Sequence, residues 1–268
     1  MLHLLKIDLK KLTNYRTFWV VCGLYFGTMT FTTSSGMEFL KWLAAKGAQL
    51  FGANVDINKI PLYHFPDVWQ NLVYVSGFFK IMLGIMVVIS ITNEFSYRTV
   101  RQNIIDGMSR WDFLFSKIIT NLLLSFFSVV IVFLIGLVTG LIYTPEIEFS
   151  NIFKDLSFFI AYFLEVFSFL SFALMLGILV QRSGLTIMIL LMSRFIEFLF
   201  KLNIPDAAEG IKDFFPMESI SNLVPIPFPK YVLMEIQDYV SVAAVFIAMG
   251  WAVLFNYFSY LKLSKSDI

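Results

Sequence analysis

Four charged residues stand inside otherwise apolar runs and are the first places where this chain could do chemistry: Lys80, Glu165, Arg194 and Glu197. A charge at the centre of a bilayer costs roughly 2.5–3.5 kcal/mol on insertion scales, so such residues face a protein interior, a partner or water. At the α-helical rise, Lys80 falls about 18 Å and Glu165 about 14 Å below the starts of their runs, depths similar enough to permit a pair. Arg194 and Glu197 are three residues apart and can pair on one helix face. One reading is a polar patch that contacts substrate or couples protons. The plainer reading is interhelical pairing that fixes packing.

A second cluster occupies residues 93–117, between two apolar runs. It holds Glu94, Arg98, Thr99, Arg101, Gly107, Ser109, Arg110 and Lys117. Asp106-Gly107 is a turn signal that can stop a helix emerging from the preceding run. Ser109 can N-cap the next helix, and Asp112 three residues later can close a box-like cap. The expected product is a helix–turn–helix elbow rich in arginine, exposing Tyr97 and Trp111 as a docking surface for a cytoplasmic protein. An ordinary turn whose arginines only fix topology is the alternative.

These residues need elements to hold them, and composition dictates which. The 268 residues are 58% hydrophobic and 15% charged, with a mean hydropathy of +0.78. Soluble domains have roughly 45–50% apolar and about 25% charged residues. Six runs approach the length that crosses a bilayer: Phe18 to Ser34, Val68 to Thr92, Ile118 to Tyr143, Leu156 to Val180, Leu185 to Phe200 and Val240 to Leu261. In lipid these must be helices, because backbone groups find no water there. The expected fold is therefore an all-α membrane protein in one domain, 1–268, a bundle of six transmembrane helices.

Lysines and arginines concentrate in the N-terminus, in 93–117, around Arg182 and at the C-terminus, so both termini are expected in the cytoplasm. Residues 1–16 carry Leu2, Leu5, Leu9 and Leu12 at helical spacing opposite Lys6 and Lys10, the pattern of an interfacial amphipathic helix. They do not read as a cleavable signal peptide. Gly36 to Asp67 is expected as an outer loop with a small helix around Met37 to Leu50. Residues 201–239 hold five prolines, among them Pro205, Pro216 and Pro225. That density predicts broken outer helices, re-entrant or simply extracellular, before the last span. A single cysteine, two distant histidines and a net charge of +1 offer no metal cluster and no nucleic-acid partner. No G-x-x-x-x-G-K-[ST] loop is present for binding ATP.

Glu94, Thr99, Arg101, Gly107, Ser109-Arg110 and Lys117 together resemble the pattern of type-2 ABC transporter permeases. There an acidic residue precedes a Gly-Thr pair, a turn, a Ser-Arg pair and a lysine entering the next span. Arg98 departs from it, standing where Gly is usual. The motif covers about a tenth of the chain, and the six-span plan extends the likeness loosely. The resemblance implies a permease without enzymatic activity of its own in the plasma membrane, as in a bacterial inner membrane. It further implies a second permease copy or related subunit, a cytoplasmic ATPase docked on the elbow with ATP and Mg in that partner, and export as the usual direction. The rival readings are an ion-coupled secondary transporter using Glu165 or Glu197 and a non-transport membrane scaffold.

Overall fold

The computed structural model describes residues 14, 16–45, 61–232 and 237–265. Among them every regular element is helical: α1 (Arg16–Ala45), α2 (Val68–Gly77), α3 (Lys80–Ser96), α4 (Thr99–Ile105), α5 (Arg110–Tyr143), α6 (Phe149–Ile152), α7 (Ser157–Val180), α8 (Ser183–Lys201), α9 (Pro216–Ser221) and α10 (Val242–Lys265). Five stretches are long and apolar enough to cross a membrane: Val68–Ser96, Arg110–Tyr143, Phe149–Val180, Ser183–Lys201 and Val242–Lys265. α1 is not one of the five. It has thirty residues, but a Thr- and Ser-rich stretch from Thr28 to Ser35 dilutes its apolar run.

Two expectations about boundaries change. Gly36 to Ala45 is not a loop: α1 continues unbroken through it. No proline interrupts the stretch, and the Tyr63 hydroxyl donates to the Thr33 carbonyl, holding the following chain against the helix. The span expected from Val68 to Thr92 is not one straight helix but α2 and α3, separated at Phe78 and Phe79. There the backbone tightens into i→i+3 bonds, Phe78 N to Val75 O at 3.3 Å and Phe79 N to Ser76 O at 3.0 Å, a local 3-10 turn that bends a helix without proline. Residues 1–13 and 15 of the expected interfacial segment 1–16 lie outside the described residues.

α7 is the axis of the bundle and α8 its periphery: the apolar stretch of one is 67% buried, of the other 17%. α7 packs against α3, α5 and α10. Two glycines set how closely it meets α3. A Cβ on Gly84 would lie 2.7 Å from the Phe169 ring, and one on Gly177 would lie 2.3 Å from Ile91 Cγ2. Close backbone approach of this kind supplies the van der Waals contact that holds helices together where lipid is as apolar as the side chains.

Side-chain contacts give the helix directions. Cys22 Sγ meets Met86 Sδ at 3.8 Å, and Thr28 Oγ1 meets Met82 Sδ at 3.8 Å. α1 therefore runs antiparallel to α3, with its first turn at the end where α3 finishes. The Arg110 guanidinium donates to the Ser264 carbonyl, which brings the last turn of α10 to the start of α5. The beginning of α1 and the end of α10 thus share one end of the bundle with residues 96–110.

At the opposite end, residues 201–232 form a 3-10 helix (Asp206–Phe214), α9 and a second 3-10 helix (Phe228–Val232). Trp251 Nε1 donates to the Phe214 carbonyl at 2.8 Å. Trp251 lies nine residues into α10, about 14 Å along it, so this segment folds back beside the bundle. Met217, Ile220, Leu223 and Val224 are buried there. Asn71 Nδ2 ties the segment to α2 by donating to the Tyr231 hydroxyl at 2.6 Å. Burial pushes the Tyr231 phenol up to about 12.

Candidate functional site

α3 carries an ion pair near each end. Lys80, its first residue, pairs with Glu165 of α7; Glu94, two residues from its end, pairs with Lys117 of α5. Both pairs are largely buried, the Lys80 and Glu165 side chains 14% and 6% exposed and the Lys117 and Glu94 side chains 10% and 12%. In each glutamate Oε1 takes the ammonium, while Oε2 is buried with no hydrogen-bond partner among the described residues. Buried charges persist where partner and packing offset their desolvation.

The Glu165 carboxylate rests on the backbone where α2 ends. A Cβ on Gly77 would come within 2.9 Å of Oε1 and 3.3 Å of Oε2. A side chain there would make the carboxylate shift, so the glycine lets it sit directly on the backbone beside the bend. Glu165 and Lys80 form part of the floor of a cavity of about 560 Å³ bounded by the α2–α3 bend, α7, α8 and α9 with the residues after it. That size lies within the range of small-molecule sites.

Arg194 and Glu197 do not pair with each other. Glu197 turns into the protein and accepts the backbone N–H groups of Met217 at 2.6 Å and Glu218 at 2.8 Å. These are the unsatisfied donors at the start of α9. Lys201 completes the arrangement, 3.4 Å from Glu197 and 2.6 Å from Glu218. With Glu197 so occupied, the exposed Arg194 donates to Ser221 Oγ at the cavity wall. Lys201 and Glu218 were not singled out by sequence, because their roles depend on a chain reversal between them. Gly77 carried a legible signal, a glycine three residues before a lysine inside an apolar run.

Three buried hydroxyls also gather where α1, α5 and α7 meet: Ser128 and Tyr162 lie 2.8 Å apart, and Tyr25 contacts both. Serines and tyrosines in apolar runs are too common for sequence to have marked them.

At the other end, residues 93–117 form the expected elbow. Arg98 adopts the left-handed conformation, φ 56°, between α3 and α4. Thr99 Oγ1 donates to the Glu94 carbonyl at 3.2 Å and braces this turn. The chain leaves α4 through Gly107, φ 95°, with Met108 N on Asn103 O at 3.0 Å and Gly107 N on Ile104 O at 3.1 Å. That is the paired closure of a glycine C-terminal motif. Ser109 then caps α5, its Oγ accepting from Asp112 N at 3.0 Å and donating to Asp112 Oδ2 at 2.6 Å.

The eight elbow residues separate by position. Glu94 and Lys117 clamp the base, Thr99, Gly107 and Ser109 shape the turns, and Arg110 joins α10. Arg98 and Arg101 remain on the outside, with Tyr97 69% exposed and Trp111 48% exposed. Trp111 also packs edge-on against Tyr260 of α10, ring centroids 5.6 Å apart.

A bundle with five membrane-length apolar helices, buried ion pairs along its interior and an arginine-bearing elbow at one end is an α-helical, multi-pass membrane protein. The chain belongs to the family described as protein of unknown function DUF2705, which matches residues 53–268. No curated protein matches it.

Proposed function

We propose that this chain is the membrane-spanning permease subunit of an ATP-driven ABC transporter, coupled through its elbow to a separate ATPase that binds ATP and Mg. The observation that carries the reading is the elbow's construction. Its motif residues build a braced lever, and Arg98, standing where the resembled permeases have Gly, keeps the left-handed backbone that glycine favours. The departure in residue type therefore leaves the turn intact.

α1 acts as the sixth span in this reading. Thr28, Thr33, Ser34 and Ser35 each donate a side-chain hydroxyl to the carbonyl four residues back, so these groups need no water. Both chain ends then face the cytoplasm with the elbow, in a plasma membrane such as a bacterial inner membrane. A second copy or a related permease completes the translocation path, export is the direction, and this chain has no catalytic activity itself. Arg98, Arg101 and Trp111 form the docking face, while the Glu94–Lys117 pair keeps the lever rigid enough to pass a push to α3 and α5.

The test is co-purification of the full chain with ATPases from its native membrane, alongside the double variant Arg98→Glu/Arg101→Glu. An ATPase that accompanies the wild type and is lost from the variant supports the reading. If no ATPase co-purifies and the variant keeps its transport activity, the reading fails. The free Oε2 of Glu165 favours one second reading, an ion-coupled carrier; transport driven by an ion gradient with ATP absent would select it. Glu197 suits that role less, since both its oxygens are taken by backbone N–H groups.

A further inference from the structure

The cavity beside Lys80 and Glu165 has an arginine outside any ion pair in its wall and an apolar mouth. Two carboxylates line it, and each already has an ammonium partner: Glu165 with Lys80, and Glu218 with Lys201. Arg194 also lines it, and its bond is to a neutral hydroxyl, that of Ser221. Among the described residues no ion pair joins Arg194 to a carboxylate, so of the two cations and two carboxylates in the lining its guanidinium is the charge without a paired partner. A guanidinium within a membrane-length helix calls for a counter-charge.

The rim shows where that counter-charge would come from. Phe78, Ile81, Leu191 and Ile226 line the cavity and are 65%, 38%, 46% and 54% exposed. Their mouth is continuous with the apolar outer face of α8, where Met188 and Phe195 are also exposed. In a chain of this class such a surface meets hydrocarbon, so a ligand with an apolar chain enters without leaving the bilayer. A guanidinium presents a planar fork of donors that matches phosphate and carboxylate oxygens two at a time.

We infer that this cavity binds an anionic amphiphile, with Arg194 holding a phosphate or carboxylate headgroup and the Phe78–Ile81–Leu191–Ile226 rim receiving its apolar chain. The Asn222 amide and Ser221 hydroxyl, also in the wall, offer further donors to the headgroup. The assignment does not depend on an ATPase partner: it holds or fails by binding alone.

The experiment uses the purified full chain in neutral detergent. It titrates short-chain phosphatidylglycerol, phosphatidylcholine of the same chain length and inorganic phosphate, and counts bound molecules by native mass spectrometry. Phosphatidylglycerol is expected to bind saturably, one per chain, at least about tenfold more tightly than phosphatidylcholine. Arg194→Gln should remove that preference. Ile81→Trp narrows the mouth without changing charge and should weaken binding in the same way, which keeps the test valid if the arginine variant folds poorly. Arg182→Gln, at the far end of the same helix, should leave binding unchanged. Equal binding of both lipids, or undiminished preference in Arg194→Gln and Ile81→Trp, overturns the inference. Competition by inorganic phosphate at concentrations as low as the lipid would show a plain anion site and overturn the amphiphile assignment.

Discussion

The two ion pairs on α3 share their chemistry and differ in their surroundings. Lys80–Glu165 and Glu94–Lys117 each join α3 to a neighbouring helix, and each leaves one glutamate oxygen buried and unbonded. Lys117 borders a void of only about 20 Å³, room for about one water molecule. Lys80 and Glu165 border one of about 560 Å³. Lys117 thus borders space for little more than a water, whereas Lys80–Glu165 sits at a helix bend beside space that another molecule can fill. A buried ion pair is therefore not a functional signal in itself, and the volume next to it decides which use the protein makes of it.

That contrast is breakable at its tighter end. Replacing Lys117 by Met strands Glu94 in a closed site, and removing one partner of a buried pair costs about 3–5 kcal/mol. The expected outcome is the largest loss of thermal stability among these variants, read by melting in detergent, with the exchange Glu94→Lys/Lys117→Glu recovering part of it. A loss no larger than that of a surface substitution would show that the elbow base is hydrated rather than clamped.

At the cavity end, Glu165→Gln should cost less, about 1–3 kcal/mol, because Lys80 can turn toward the open volume while an amide still accepts its hydrogen bond. Transport should fall while assembly is retained. Normal transport with poor assembly would instead make this pair a packing device like the other. Should Glu165→Gln destabilise as much as Lys117→Met, the distinction drawn from cavity size disappears.

The smallest effect is expected at the elbow turn. Arg98→Gly relieves a left-handed residue and should be stabilising by up to about 1 kcal/mol, with the gain partly offset by unfolded-chain entropy. The same change removes an exposed arginine from the proposed docking face. A slightly higher melting temperature with weaker ATPase retention would separate the turn's geometry from its charge; unchanged retention would assign the docking to Arg101 and Trp111.

Much of the elbow was legible from residue types, because its determinants are local. Asp106-Gly107 and Ser109 with Asp112 act within a few bonds of where they stand, and the turn and the cap form where the spacing places them. Charges inside the apolar runs were legible as oddities, but their partners were only half so. Lys80 and Glu165 could be matched by depth, whereas the proximity of Arg194 and Glu197 along α8 was misleading. Backbone donors at the start of α9, twenty residues away, outcompete a neighbour on the same helix.

The sequence by itself determined that this chain is helical, that most of it is too apolar for water, which stretches hold its long apolar runs, and which turn residues shape the elbow. Each of these follows from short-range hydrogen bonding or from solvent preference averaged over a run, and neither needs to know what lies across the bundle. Only the tertiary structure decided that α2 and α3 part at Phe78 and Phe79, that Glu197 serves α9, that Glu94 and Lys117 close one base, and that Arg194 looks into a cavity. Those outcomes depend on which backbones can approach within a glycine's width, a property of three-dimensional packing that no single run of residues contains.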